Sequence, residues 1–148
     1  KECRKIWMIR KLQDADIDRV ADIWLDANLK AHSFISPQYW KSNFDPVKEM
    51  LPRAEVYIYE NNQKIYGFIG LNDEYIEGIF VSGEMQSRGI GKRLLDFVKT
   101  KKTELRLNVY QKNMRAIRFY QREGFKILRE GMDEATGEKD YEMTWRQE

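Results

Sequence analysis

The chain has 148 residues with 42% hydrophobic content, enough for one self-sufficient core and short for two. Lysine and arginine number 26 against 24 acidic residues, a near-balance that argues against a dedicated nucleic-acid binder, whose phosphate contacts need a large basic excess. One cysteine, Cys3, excludes an internal disulfide and suits a reducing cytoplasm, and one histidine, His32, excludes a histidine-rich metal site.

No apolar run reaches the length that spans a bilayer, and the strongest window, "IYGFIGL", has strand length and is broken by glycine. No signal-peptide pattern is visible. The sequence opens on lysine and its recognisable pattern begins at Met8, so residues 1–7 read as an upstream extension or expression remnant ahead of one domain over residues 8–148. The expectation is a cytoplasmic monomer or homodimer with no metal and no nucleic-acid or membrane partner.

In chain order, "WMIRKL" alternates weakly and reads as a first strand. "DADIDRVADIWLDANL" places Ile17, Val20, Ala21, Trp24 and Asn28 on one helical stripe with Asp14 as the N-cap. "KAHSFISPQYWKSNFDPVKEMLP" begins irregularly, then suggests a second helix through Trp40, Phe44, Val47 and Leu51, whose course Pro46 disturbs. "AEVYIYE" and "KIYGFIGL" are strands joined by the turn "NNQ", and "YIEGIFV" is a third in succession. From Gly89 the period is helical again, with Ile90, Leu94, Leu95 and Val98 on a stripe ending near Lys102. "ELRLNVY" is a strand, "NMRAIRFYQRE" a helix closed by Gly124, "FKILRE" a strand, and "YEMTW" a last strand after the polar turn "DEATGEKD". The order β-α-α-β-β-β-α-β-α-β-β, without repeat or linker, describes one mixed α/β domain.

The segment "MQSRGIGKRLL" sets two glycines at the doorstep of a helix, although glycine weakens a helix interior by about 1 kcal/mol. Their use is closeness: the first helical N–H groups have no intrahelical partner, the dipole makes that end partly positive, and glycine removes the Cβ that would hold an anion away. A Walker A loop is excluded, because Gln86 stands where its first glycine would be and Arg93 follows Lys92. A dinucleotide G-x-G-x-x-G is excluded by Leu94. Glycine-lined packing of helix on strand is the competing structural reading.

What remains, Gln86-Ser87-Arg88-Gly89-Ile90-Gly91 after "GIFVSGEM", resembles the acetyl-CoA pyrophosphate loop of the GNAT superfamily of N-acetyltransferases. "NVYQKNMRAIRFYQREGF" is similar to that family's other motif: a strand, an asparagine, a helix carrying tyrosine, then "GF" opening the next strand. Both occur in the family's order, and the resemblance covers residues 8–145. Two departures, Gly83 where a proline is common and Met85 where an aromatic is, concern the shape of the loop rather than its amides. The resemblance implies a GNAT fold: a central, mostly antiparallel sheet of about six to seven strands, flanked by about four helices and splayed between the fourth and fifth strands.

It also implies acetyl-CoA as co-substrate and an N-acetyltransferase acting by direct transfer in a ternary complex. By resemblance, the loop from Gln86 through Ser87, Arg88, Gly89, Ile90 and Gly91 to Lys92 meets the pyrophosphate, with Lys92 or Arg93 reaching the adenosine phosphate. Ile79, Phe80 and Val81 offer backbone groups to the pantetheine arm, and an N–H near Val81 serves as oxyanion donor. Asn113 and Tyr120 lie seven residues apart on one helix face, about 10 Å along the axis, and both touch the cofactor arm. Tyr120 is marked as general acid for the departing thiolate, with a packing aromatic as the alternative; Asn113 could also be a plain N-cap.

The general base is open. A related branch of the family uses a glutamate where this chain has Asn108, which cannot take a proton. Glu77, in strand period with Ile79 and Val81, is one candidate, against an exposed-face charge; His32, with an unperturbed pKa near 6.5, is another, against a structural histidine. His32, Phe34, Tyr39 and Trp40, with Asn108, are expected to wall the acceptor cleft, for a small amine, a peptide N-terminus or a protein lysine. "AHSFISPQYW" also has a short likeness to small bacterial acetyltransferases, some of which act on protein lysines. A non-catalytic acyl-CoA-binding regulatory module is the alternative from a different class.

Overall fold

The computed structural model describes residues 6–148; Cys3 and most of the proposed extension lie outside the described residues. Strand β1 (Trp7–Lys11) includes Trp7, whose ring stacks on Tyr59 at 5.5 Å. Helices α1 (Ile17–Ala31), α2 (Pro37–Ser42) and α3 (Phe44–Met50) follow. Strands β2 (Glu55–Asn61), β3 (Lys64–Asn72) and β4 (Tyr75–Val81) then lead through a loop to helix α4 (Ile90–Lys99). Strand β5 (Glu104–Tyr110), helix α5 (Met114–Arg122), and strands β6 (Lys126–Asp133) and β7 (Glu138–Arg146) complete the domain.

The seven strands form one sheet in the order β1-β2-β3-β4-β5-β7-β6. Every pairing is antiparallel except β4 with β5, which is parallel and reduced to the single bridge Tyr75↔Arg106. The mostly antiparallel seven-stranded sheet and the splay between its fourth and fifth strands agree with the expectation, with five α-helices where about four were expected. The β2–β3 turn is two residues long, with Asn62 and Gln63 both at positive φ, the backbone that matches strand twist in a tight hairpin.

β2 is buried on both faces, and its alternation divides the core. Tyr57 and Tyr59 join Ile69, Leu71, Ile90, Leu94, Leu95, Ile117 and Tyr120 on the side of α4 and α5. Val56 and Ile58 join Val20, Ala21, Ile23, Leu51 and Phe68 on the side of α1. Gly67 lets α4 settle on the sheet: a Cβ there would stand 3.0 Å from the Phe80 carbonyl oxygen and 3.1 Å from Ile90 Cγ2.

Three local expectations change. Asp14 does not cap α1; Asp16 stands at the N-cap position without a side-chain cap, its carboxylate instead closing the preceding 3-10 turn by accepting the Gln13 N–H at 2.8 Å while Arg10 grips it at 2.8 and 3.1 Å. That guanidinium holds the Asp16 carboxyl below its ordinary pKa. The second helix is two helices, broken not at Pro46 but at Asn43 (φ −95°, ψ 0°), whose amide turns back to the Tyr39 carbonyl at 2.7 Å. Pro46 sits in the first turn of α3, where a missing N–H costs nothing.

The third change bears on the site. The β3–β4 register runs Gly70↔Gly78 and then Leu71↔Ile76, so Glu77 is the extra residue of a β-bulge. A bulge reverses the alternation. Ile79 and Val81 pack towards α4 and α5, whereas Glu77 lines an apolar recess with Trp24, Val47, Phe68 and Phe80 on the opposite face. The parity that grouped Glu77 with Ile79 and Val81 is therefore wrong.

Candidate functional site

The loop between β4 and α4 is wound for close approach. Ser87 and Gly89 have φ of +66° and +81°, and Gly89 is the N-cap of α4. The first intrahelical bond runs from the Arg93 N–H to the Gly89 carbonyl, so the N–H groups of Ile90, Gly91 and Lys92 precede it and point out of the helix end. Packing does not demand either glycine. A Cβ at Gly89 would meet nothing within 4 Å, and one at Gly91 would make ordinary contact with Phe119 at 3.5 Å and Ile79 at 3.8 Å. Gly89 is required by its backbone; Gly91 leaves the helix end open.

Side chains brace this loop. Gln86 Nε2 donates to the Val81 carbonyl at 3.3 Å, and the Arg115 fork reaches Gln86 Oε1 at 3.1 Å and Ser87 Oγ at 2.8 Å. Arg115, from the first turn of α5, was not foreseen, and nothing in its sequence neighbourhood marks it. Arg88 is exposed at the loop tip. Lys92 is directed instead to Asp96 at 3.0 Å and Glu123 at 3.2 Å, while Arg93 lies over the Trp7 ring and donates to the Tyr59 hydroxyl at 3.1 Å. Neither cation is turned to the helix end.

β4 and β5 meet at Tyr75, where the Arg106 N–H also bonds the Glu74 carbonyl at 2.9 Å, and diverge from there. The gap widens towards Val81 on one side and Tyr110 on the other. Ile79 and Val81 line the β4 wall on the α5 side, and Phe80 faces the other way, stacked on Phe68 at 5.0 Å. Tyr120 comes from α5, its ring held between Phe119 and Phe125. Burial, then the nearby Tyr75, push its phenol well above the ordinary value, so the hydroxyl keeps its proton.

On the far face Tyr75 donates to Asn108 Oδ1 at 2.8 Å, and Asn108 Nδ2 points to Asp140 Oδ2 at 3.5 Å. Asp140 is 8% exposed and its Oδ1 has no hydrogen-bond partner among the described residues. Burial, followed by the charge of Asp133, raises its pKa. Neither Tyr75 nor Asp140 was singled out from sequence. Asp140 belongs to the polar register of "KDYEMTW", which signals exposure in a strand read alone.

His32 is not free to act as a base. Asn28 Nδ2 donates to the Trp24 carbonyl, which leaves Asn28 Oδ1 to accept from His32 Nδ1 at 3.0 Å. Asn113 Oδ1 accepts the Ala116 N–H, which leaves Asn113 Nδ2 to donate to His32 Nε2 at 3.0 Å. Fixed backbone partners at both ends thus set a neutral ring with its proton on Nδ1. Burial lowers the pKa to about 4. Asn113 is the N-cap of α5 and also makes this bond to His32.

Around His32 stand Trp40, stacked at 5.4 Å, Phe34 and Tyr110, both edge-on, and Tyr39 against Trp40. Tyr110 donates to Asp133 of the β6–β7 hairpin at 2.5 Å. The expected acceptor residues His32, Phe34, Tyr39 and Trp40 form one aromatic cluster, in which Trp40, only 7% exposed, is core behind the half-buried Phe34 and Tyr39 and not an open cleft wall, with Asn108 apart from it on the sheet. Glu77 is exposed on the same face of the sheet as α1.

The family model for the acetyltransferase (GNAT) domain matches residues 52–127. Peptidyl-lysine N-acetyltransferase YiaC of Escherichia coli K12 is 32% identical over 140 residues, covering 93% of this chain and 96% of that protein. Among solved structures, the solution structure of apo YjaB from Escherichia coli aligns with a TM-score of 0.85 at 22% identity, covering 97% of this chain and all of that one. The PaiA N-acetyltransferase of Thermoplasma acidophilum, solved with coenzyme A, aligns with a TM-score of 0.78 at 20% identity over 95% of this chain and 98% of that one.

Proposed function

The chain belongs to the GNAT acetyltransferase family, and on that premise we propose that it passes the acetyl group of acetyl-CoA directly to a primary amine, with lysine side chains of proteins as its acceptors. The observation that carries the reading is the β4–β5 gap, open at the end where the Gly89–Lys92 amides converge, with Tyr120 of α5 in the cluster against which Ile79 and Val81 of β4 pack. An extended thioester arm lies along β4, its pyrophosphate on the amides of Ile90, Gly91 and Lys92 and its amides on the backbone groups of Ile79 and the Val81 N–H, the Val81 carbonyl being held by Gln86. Arg88, exposed beside that helix end, supplies a cation for the phosphates.

Tyr120 is the general acid. Its raised pKa keeps it protonated across the working range, so it can donate to sulfur as the thiolate leaves. A lysine amine with pKa near 10.4 is neutral in only about one molecule in 2,500 at pH 7, so its proton must be shed. His32 is neutral and committed to Asn28 and Asn113; the proton passes to solvent on the acceptor face, where the exposed Glu77 carboxylate draws the ammonium in. Support for a lysine acceptor comes from the half-buried Phe34 and Tyr39, which suit an alkyl stem, and from YiaC, which is named a peptidyl-lysine enzyme.

The test is an acceptor screen with radiolabelled acetyl-CoA, comparing lysine peptides blocked at their N-termini, peptides with free N-termini and lysine blocked, and small diamines. Preferred labelling of the first class is expected. Labelling confined to small amines would falsify the lysine assignment while leaving acetyl transfer intact.

A further inference from the structure

A chain of polar side chains crosses the closed end of the β4–β5 gap and has no part in the scheme above. The Tyr75 hydroxyl gives its proton to Asn108 Oδ1, and Asn108 Nδ2 faces Asp140 Oδ2. Asp140 is more than nine-tenths buried, with one oxygen unpartnered among the described residues; an acid is not buried so without consequence. Tyr75 is half-buried and near enough to Tyr120 to be felt there electrostatically. The two phenols approach the closed end of the gap from opposite faces of the sheet.

We propose that Tyr75 orients the acceptor amine, by offering it the lone pairs of a hydroxyl whose proton is committed to Asn108, and that Asn108 and Asp140 are positioning residues acting through that proton. The inference rests on the acetyl-transfer reading. An amine that attacks a thioester must aim its own lone pair at the carbonyl carbon, so its N–H groups have to be held by acceptors. A phenol has one proton and two lone pairs. Left to rotate, the Tyr75 hydroxyl could present its proton to the amine lone pair and block attack. With the proton held by Asn108 Oδ1, only lone pairs face the gap.

Asp140 decides which end of the amide does the holding. Asp140 Oδ2 accepts from Asn108 Nδ2 at 3.5 Å, which leaves Asn108 Oδ1 turned towards the Tyr75 hydroxyl. With the amide reversed, Nδ2 would donate to the phenol oxygen and free the phenol proton. A buried, otherwise unpaired acid thereby fixes a rotor on the next strand but one.

The test is steady-state kinetics with a lysine peptide for the wild type, Tyr75→Phe, Asp140→Asn and the double variant, alongside acetyl-CoA binding by calorimetry and acceptor-free thioester hydrolysis. Tyr75→Phe is expected to lower kcat/KM for the peptide at least tenfold, leaving acetyl-CoA affinity and hydrolysis within twofold. Asp140→Asn loses less, and the double variant loses no more than Tyr75→Phe alone, because Asp140 acts through Tyr75. Unchanged peptide kcat/KM in Tyr75→Phe overturns the orienting role. Losses that multiply in the double variant overturn the positioning role of Asp140. A wild type that binds acetyl-CoA yet acetylates no amine overturns the transfer reading itself, and this inference with it.

Discussion

His32 Nε2 accepts from Asn113 Nδ2 at 3.0 Å, and that bond ties the end of α1 to the N-cap of α5 across 81 positions of sequence. The acceptor wall and the helix that carries Tyr120 are thereby fastened to one another through an uncharged ring.

His32→Ala should therefore act on stability and its pH dependence. The folded pKa, about 4, lies below the ordinary 6.5, so between those values the unfolded chain binds the proton and the folded one does not. Stability contributed by the neutral ring is complete above about pH 6.5 and falls as the pH drops towards 4, by at most about 3 kcal/mol. Chemical denaturation from pH 7.5 to 4.5 should show this slope in the wild type and a shallower one in His32→Ala. At pH 7.5 the variant should be about 1–3 kcal/mol less stable, since Asn28 and Asn113 each lose a partner. An identical slope would remove His32 as its source.

The two loop glycines should respond differently. Gly89→Ala forces a side chain onto a φ of +81°, costing about 1–2 kcal/mol of stability. Gly91→Ala has room against Phe119 and Ile79 and a better helix former in place. Its melting temperature should hold or rise, while acetyl-CoA affinity falls about tenfold or more. Equal affinity for Gly91→Ala and wild type would return Gly91 to a packing role.

Tyr120→Phe should lower kcat by about 10²-fold or more and leave the acetyl-CoA dissociation constant within a few-fold. Its folded stability should change little, because the ring packed between Phe119 and Phe125 is kept. A variant that lost stability along with turnover would point to a packing role.

Arg115→Ala releases both Gln86 and Ser87. The KM for acetyl-CoA should rise several-fold with little change in kcat. Arg115→Lys should not restore it, since one ammonium cannot reproduce a planar fork on two acceptors. Full rescue by lysine would mean that charge alone matters there.

Glu77→Gln should raise the KM for cationic lysine peptides by a few-fold and leave that for acetyl-CoA unchanged, because the bulge sets Glu77 on the face away from Ile79 and Val81. Raised salt should shrink the difference between wild type and variant, as screening weakens an exposed charge. A change confined to the acetyl-CoA KM would place the carboxylate on the wrong face.

What the sequence made legible was local in the chain. The glycine loop, the α4 stripe of Ile90, Leu94, Leu95 and Val98, and the Gly124 stop after α5 are each written within a dozen residues, and each stands as read. What it hid depends on two segments at once. The bulge at Glu77 is a mismatch between β3 and β4, invisible in "YIEGIFV" by itself. Asp140 and Asn108 become neighbours only because β7 inserts beside β5. The break at Asn43 was misplaced because proline is the louder signal, although a helix tolerates it in its first turn.

A sheet joined at its middle by one bridge has four borders instead of two. The outer pair run along β1 and β6, the end strands of the sheet among the described residues. The inner pair face one another across the β4–β5 opening. Under the proposed function, an extended arm that carries its own amides completes the ladder there. On that reading, discrimination between a nucleotide-borne thioester and a simple one begins with the missing hydrogen bonds of β4 and β5, before any side chain is consulted.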